Sequence, residues 1–236
     1  MMLEVCVDSV DGTRRAIEGG AQRIEISECL KVGGVTPSAQ LVQTVRQICQ
    51  LPLIALVRCR PGDFHYHSDE LETMLSEIRI MMDLGCDGVA VGASHRDDDL
   101  DMWFMDEALR VARRTQPSAQ MVVHRVFDSV PDKFDSLDRL IESGYNRILT
   151  SGGKEHAIGS LDALRDLQAY RDGRIAILPG GGVQASNAAT ILKSTGCREL
   201  HGSFTRGAST IDTGLPIVEE VRTVRGILDD FLTSDP

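Results

Sequence analysis

Five short stretches of this chain end in residues able to do acid–base, ligand-binding or metal chemistry. LEVCVDS (3–9) ends in Cys6 and Asp8, RIEISEC (23–29) in Glu25, Ser27, Glu28 and Cys29, and VRCRPGDF (57–64) in Arg58 and Arg60. HRVFD (124–128) supplies His124, Arg125 and Asp128, and ELHGS (199–203) supplies His201. An imidazole titrates near neutrality and can be tuned by neighbouring carboxylates, so His124 is a general-base candidate, with Glu25 as the other proton carrier. Arg58 and Arg125 would neutralise a substrate anion, and Asp128 would complete the polar set. Glu25 and Arg58 could equally form an internal ion pair that fixes strand register, and His124 could be a hydrogen-bonded structural residue.

Two glycine clusters add a different capability. Thr150–Ser151–Gly152–Gly153 and Pro179–Gly180–Gly181–Gly182 let backbone N–H groups approach an anion closely, and the second leads into a helical pattern whose N-terminus favours negative charge. Ser151, Gly152, Gly153, Gly180, Gly181 and Gly182, with His201 beside them, are therefore expected to form an anion or phosphate site. HisTyrHis at 65–67 reads as a solvated loop, and MetTrpPheMet at 102–105 as core packing in a helix.

The elements that would position these groups follow from periodicity. Strand patterns run over 3–7, 23–27, 53–58, 88–92, 120–124, 147–150, 174–178 and 198–202. Helical patterns fill the gaps at 10–18, 37–49, 69–84, 102–114, 132–142, 161–170, 187–193 and 217–231. Turn signals such as LeuGlyCysAsp and SerGlyTyrAsn separate helices from the strands that follow. Eight strand–helix units predict an α/β (β/α)8 TIM barrel, a single domain over 1–236, with a doubly wound open sheet as the competing topology. In a barrel the strand C-termini share one mouth, where all the residues named above would meet. Alternation predicts an unusual lumen: Glu4 and Cys6, Arg23, Glu25 and Ser27, and Glu199, His201 and Ser203 all fall on the inner face of three adjacent strands. Buried charges are costly unless paired, so such a face is retained for pairing or for function.

The totals exclude several classes. A net charge of −10 with scattered basic residues offers no footprint for nucleic acid or an anionic membrane. No apolar run approaches the roughly 20 residues of a membrane span, and the first residues lack a signal-peptide pattern, so the expected location is cytoplasmic. Six cysteines without CxxC or zinc-ribbon spacing fit reduced thiols; Cys49, Cys86 and Cys197 read as buried apolar residues.

LEVCVDS, GGAQRIEIS, GGVTPS, the Arg58–Phe64 segment, HRVFD, RILTSGG, LPGGGV and ELHGS occur in this order, and together they resemble the CutC copper homeostasis family over nearly the whole chain. That resemblance implies a TIM barrel, a cytoplasmic and often oligomeric protein (a homodimer or homotetramer), and Cu(I) as the metal. It also implies two copper thiols, Cys6 and the cysteine of a second-strand motif written RIELCSGL. Here that motif reads RIEISECL, so Ser27 stands at the cysteine position and Cys29 two residues later. Soft Cu(I) prefers thiolate to hydroxyl, which makes Cys6 with Cys29 the expected pair and leaves Cys59 a further candidate. Two functions stay open: copper handling through lumenal or mouth cysteines, and an enzyme acting on a small anionic or phosphorylated metabolite.

Overall fold

Helix follows strand eight times in a computed structural model that describes residues 1–205 and 214–234. The units are β1 (Met2–Val7), α1 (Val10–Glu18), β2 (Arg23–Ile26), α2 (Ala39–Ile48), β3 (Leu53–Leu56), α3 (Ser68–Asp83), β4 (Gly88–Val91) and α4 (Met102–Thr115). They continue as β5 (Gln120–Val123), α5 (Lys133–Ser143), β6 (Arg147–Thr150), α6 (Leu161–Tyr170), β7 (Ala176–Pro179), α7 (Ala185–Thr195), β8 (Glu199–Gly202) and α8 (Val218–Ser234). All ladders are parallel, in the order β7-β6-β5-β4-β3-β2-β1-β8. The sheet curls until its two edges adjoin, and a Cβ placed on Gly180, just past β7, would lie 3.3 Å from His201 Cδ2 on β8. The fold is the expected (β/α)8 TIM barrel rather than an open sheet.

Strand alternation divides the side chains between two environments. Outward residues such as Leu3, Val5, Ile24, Ile26, Val89 and Ile148 are fully buried under the helix ring. Helix stops are local: Gly144 and Gly196 take left-handed φ values of 93° and 69° after α5 and α7, where a side chain would be strained. Ser9 and Asp132 cap α1 and α5 by accepting the N–H groups of Gly12, Phe134 and Asp135.

The lumen has two characters. Ile54, Leu56, Ala90, Val122, Leu149 and Leu178, from β3 to β7, form a separate apolar cluster inside the barrel. Across from it, β8, β1 and β2 contribute His201, Glu4, Cys6, Arg23 and Glu25, all buried. Register places Glu4 beside both Arg23 and His201, and Cys6 beside Glu25.

Candidate functional site

At the floor of the lumen, β1, β2, β6 and β8 form an ion-pair network. Arg23 Nε donates to Glu4 Oε2 and its Nη2 to Glu199 Oε2 at 2.6 Å, while Arg147 Nε reaches the same Glu199 oxygen at 2.9 Å. Two acids and two guanidiniums thus cancel where solvation is poor. Burial would raise the Glu4 pKa, but Arg23 and His201 outweigh it and hold the carboxyl well below the usual range. The other Glu4 oxygen, Oε1, accepts His201 Nδ1 at 2.7 Å, which fixes the orientation of that ring.

Above this floor opens a cavity of about 850 Å³, lined on the polar side by Cys6, Asp8, Glu25 and His201. Burial would lower the His201 pKa, but Cys6, Glu25 and Glu4 together raise it well above the ordinary value. Burial pushes Glu25 the other way from most carboxylates, up to about 7, despite the nearby His201. Its Oε2 has no hydrogen-bond partner among the described residues. Glu4, Glu25 and His201 each bring a ligand atom within 4.8 Å of the others, a spacing that suits one cation. Glu4 is already engaged by Arg23 and His201, so the donors open to a ligand on this wall are Glu25, His201 and Cys6.

The opposite wall is built by β3 and β5. Arg58, only 6% exposed, gives Nη1 to the Gly34 carbonyl at 3.1 Å and Nη2 to the Gly62 carbonyl at 2.6 Å. Its guanidinium lies 5.0 Å from the Phe64 ring centre, and the His124 ring packs 4.8 Å from the same ring. Among the described residues no carboxylate pairs with Arg58, so the Glu25–Arg58 ion pair, the structural alternative for these two residues, does not form; Glu25 sits instead with Cys6 and His201. His124 also departs from the general-base expectation. Its Nδ1 accepts the Val126 N–H at 3.1 Å, and burial beside the Arg58 charge lowers its pKa to about 3. The ring is therefore neutral with its proton on Nε2, a buried N–H and not a free basic nitrogen.

The two glycine loops differ. After β6, the N–H groups of Ser151 and Gly153 donate to Asp128, that of Gly152 to Thr150 Oγ1, and Arg125 Nε closes the Asp128 carboxylate at 2.7 Å. This expected anion cradle holds the protein's own carboxylate, and Gly152 and Gly153 lie outside the cavity wall. After β7, Gly180 N–H bonds to Thr150 O, whereas Gly181 and Gly182, with left-handed φ of 88° and 68°, line the cavity together with Arg125.

Of the six cysteines, Cys6 alone lines the cavity among the described residues. The expected partner Cys29 does not share its face: β2 ends at Ile26, and Cys29 is exposed in a left-handed turn with φ 55°. Ser27, at the position of the family cysteine, is fully buried, and its Oγ has no partner among the described residues. Cys59 is half-buried off the cavity wall, and burial raises its thiol pKa. Sequence reasoning missed Phe64 as the ring that both Arg58 and His124 contact, and the role of Arg147; the signal for Arg147 was a charged first residue ahead of the apolar Ile148 and Leu149.

Comparison with known proteins places these residues in context. The sequence profile of the CutC family matches residues 1–206. The human protein named copper homeostasis protein cutC homolog is 37% identical over 214 residues, spanning 91% of this chain and 76% of the human one. A CutC family protein of Agrobacterium fabrum is 39% identical over 203 residues, 86% of this chain and 79% of its own. Among solved structures, a CutC chain from Streptococcus agalactiae superposes with a TM-score of 0.79 at 28% identity, covering 86% of this chain and 98% of the other. Thiamine phosphate pyrophosphorylase of Pyrococcus furiosus, at 17% identity and a TM-score of 0.63, shares the barrel fold.

Proposed function

Because the chain belongs to the CutC family, whose human relative is named a copper homeostasis protein, we propose that it handles copper, taking Cu(I) as cargo at Cys6 with His201 as the second donor. The observation that carries this reading is the placement of one thiol in the cavity wall beside an imidazole whose Nδ1 is held by Glu4. A carboxylate behind a histidine is the usual way a metal-binding ring is oriented, and it leaves Nε2 as the ring atom that would take the metal, Cu(I) displacing the proton that Cys6, Glu25 and Glu4 stabilise on the ring. Thiolate and imidazole both suit copper, while Ser27 offers only a hydroxyl where a second thiol would bind more tightly. The site is thus softer than a carboxylate cage and weaker than a dithiolate pair, as befits a buffer in the reducing cytoplasm. No helix among the described residues is long and apolar enough to cross a membrane. Anaerobic Cu(I) titration against a chromogenic competitor tests the assignment: Cys6→Ser is expected to abolish stoichiometric binding, and His201→Ala to weaken it. Unchanged affinity in Cys6→Ser refutes the site.

A second reading is favoured by a separate observation. Glu25 Oε2 and His124 Nε2 are buried polar atoms with no hydrogen-bond partner among the described residues, and their residues line one cavity with Arg58, which no carboxylate answers there: more polar groups than a two-coordinate ion would engage. They suit a small anionic metabolite, with Glu25 as the proton carrier and Arg58 as the counter-charge. Soaking crystals in small anions tests this, and an empty wall at Arg58 and at Gly181–Gly182 after such soaks refutes it.

A further inference from the structure

Glu25 is a buried carboxylate that the ion-pair network of the floor does not use. It is 5% exposed, and its Oε2 has no hydrogen-bond partner among the described residues. Keeping a carboxylate in such a place costs stability unless something positive completes it. Its neighbours are metal-ligand types. Glu25 and His201 bring ligand atoms within 4.8 Å of each other and of Glu4. Strand register sets Cys6 directly beside Glu25, and both line the cavity with His201. Cys6 and Glu25 are also the two charges that act most strongly on the His201 ring, as expected of groups gathered at one point. Two donors about 2.1 Å from one tetrahedral ion lie roughly 3.4 Å apart, so Glu25 and His201 need approach by no more than about 1.4 Å. The three residues stand on β2, β8 and β1, which adjoin in the sheet and hold them on rigid backbone.

We propose that Glu25, His201 and Cys6 form a three-donor site for a zinc(II) ion, with the fourth position of the ion open to the cavity. The site shares Cys6 and His201 with the copper reading above and adds Glu25, which Cu(I) held by two donors leaves unused. Charge decides the metal class. A thiolate and a carboxylate together answer the two charges of Zn(II), whereas Cu(I) with the thiolate alone is already neutral. Thiolate, imidazole and carboxylate are the donor types zinc takes, and three protein donors with an open fourth position is the arrangement of reactive zinc sites. Hard Mg(II) and Ca(II) are disfavoured by the sulfur and nitrogen donors. Glu4 stays behind the His201 ring and orients it, while its other oxygen remains with Arg23.

The test uses metal-free, reduced, full-length protein titrated anaerobically with Co(II) as a visible stand-in for zinc, then with Zn(II) to displace it, and separately with Cu(I). Wild type is expected to bind one equivalent of Co(II) with the visible bands of a four-coordinate ion and a near-ultraviolet thiolate-to-cobalt charge-transfer band, and to release it to Zn(II). Glu25→Gln keeps the shape of the side chain and is expected to lower zinc affinity by more than the roughly 10- to 100-fold typical of an outer-shell partner, with Cu(I) affinity unchanged. Cys6→Ser should lose the charge-transfer band. Retained Cu(I) binding in Glu25→Gln also shows that the variant is folded. Zinc affinity unchanged in Glu25→Gln, or zinc and copper affinity falling together there, overturns the assignment of Glu25 as a zinc donor. A charge-transfer band that survives in Cys6→Ser overturns the sulfur donor. Cu(I) binding without Co(II) or Zn(II) binding in wild type overturns the zinc site and spares the copper reading; zinc binding without Cu(I) binding does the reverse.

Discussion

Replacing Glu4 by Gln probes the part of the lumen on which every other group depends. Glu4 is 1% exposed and has both oxygens engaged, one by Arg23 and one by His201. Removing one partner of a buried ion pair costs about 3–5 kcal/mol, because the remaining charge is left unsolvated. Arg23 retains Glu199 at 2.6 Å, so its charge is still half-answered, and the expected loss falls to about 2–4 kcal/mol. Unfolding entropy of about 2.1 cal/mol/K per residue over 236 residues makes each kcal/mol worth about 2 °C, so Tm should drop by about 4–8 °C. The assay is urea unfolding at neutral pH, with thermal unfolding alongside and Asp162→Asn as an exposed-pair control. Asp162 is 86% exposed in its pair with Arg165, so that control should change stability by less than about 0.5 kcal/mol. The sign with pH is also set. The folded Glu4 pKa lies below its unfolded value of 4.5, so its contribution is complete above 4.5 and disappears as pH falls toward the folded value. A Glu4→Gln protein as stable as the control refutes the network as a structural element.

Further expectations follow from the other walls. His124 has a folded pKa of about 3 against 6.5 unfolded, so wild type should lose stability as pH falls from 6.5 toward 3, while His124→Asn lacks that component. Between pH 6 and 4 the variant should lose up to about 2 kcal/mol less than wild type in urea titrations; parallel curves refute the buried neutral imidazole. Asp128→Ala empties the cradle of the β6 loop and should cost about 2–3 kcal/mol, with faster amide exchange at Ser151 and Gly153; protection equal to wild type contradicts the hydrogen bonds assigned there. Cys29→Ser should leave Cu(I) affinity unchanged, because Cys29 is outside the cavity wall; lost binding would return Cys29 to the site.

The order of elements was legible because each strand–helix unit is a local event. Periods of two and 3.6, Ser and Asp caps and Gly stops are all written within a few residues, and α1, β6 and α6 fall at the expected bounds. The polar inner faces of β1, β2 and β8 were legible for the same reason, since alternation is strictly local. Strand ends were less so. The β2 pattern extends past Ile26, but the chain turns at Cys29 because Glu28 pairs antiparallel with Val35.

What the sequence by itself determined is the inventory: eight strands, one polar arc and a family resemblance that the relatives bear out. Which polar groups neutralise one another was decided only by closure of the barrel, because partners such as Arg23 and Glu199, or Asp128 and Gly153, are distant in the chain and meet through geometry that no local pattern encodes. Closure gave Glu4 two partners, filled the first glycine loop with Asp128, and left Arg58 on backbone carbonyls with no carboxylate among the described residues. Electrostatics at a few ångströms in a poorly solvated space depends on that final pairing, and so does the difference between a charge answered by a carboxylate and one answered only by backbone dipoles.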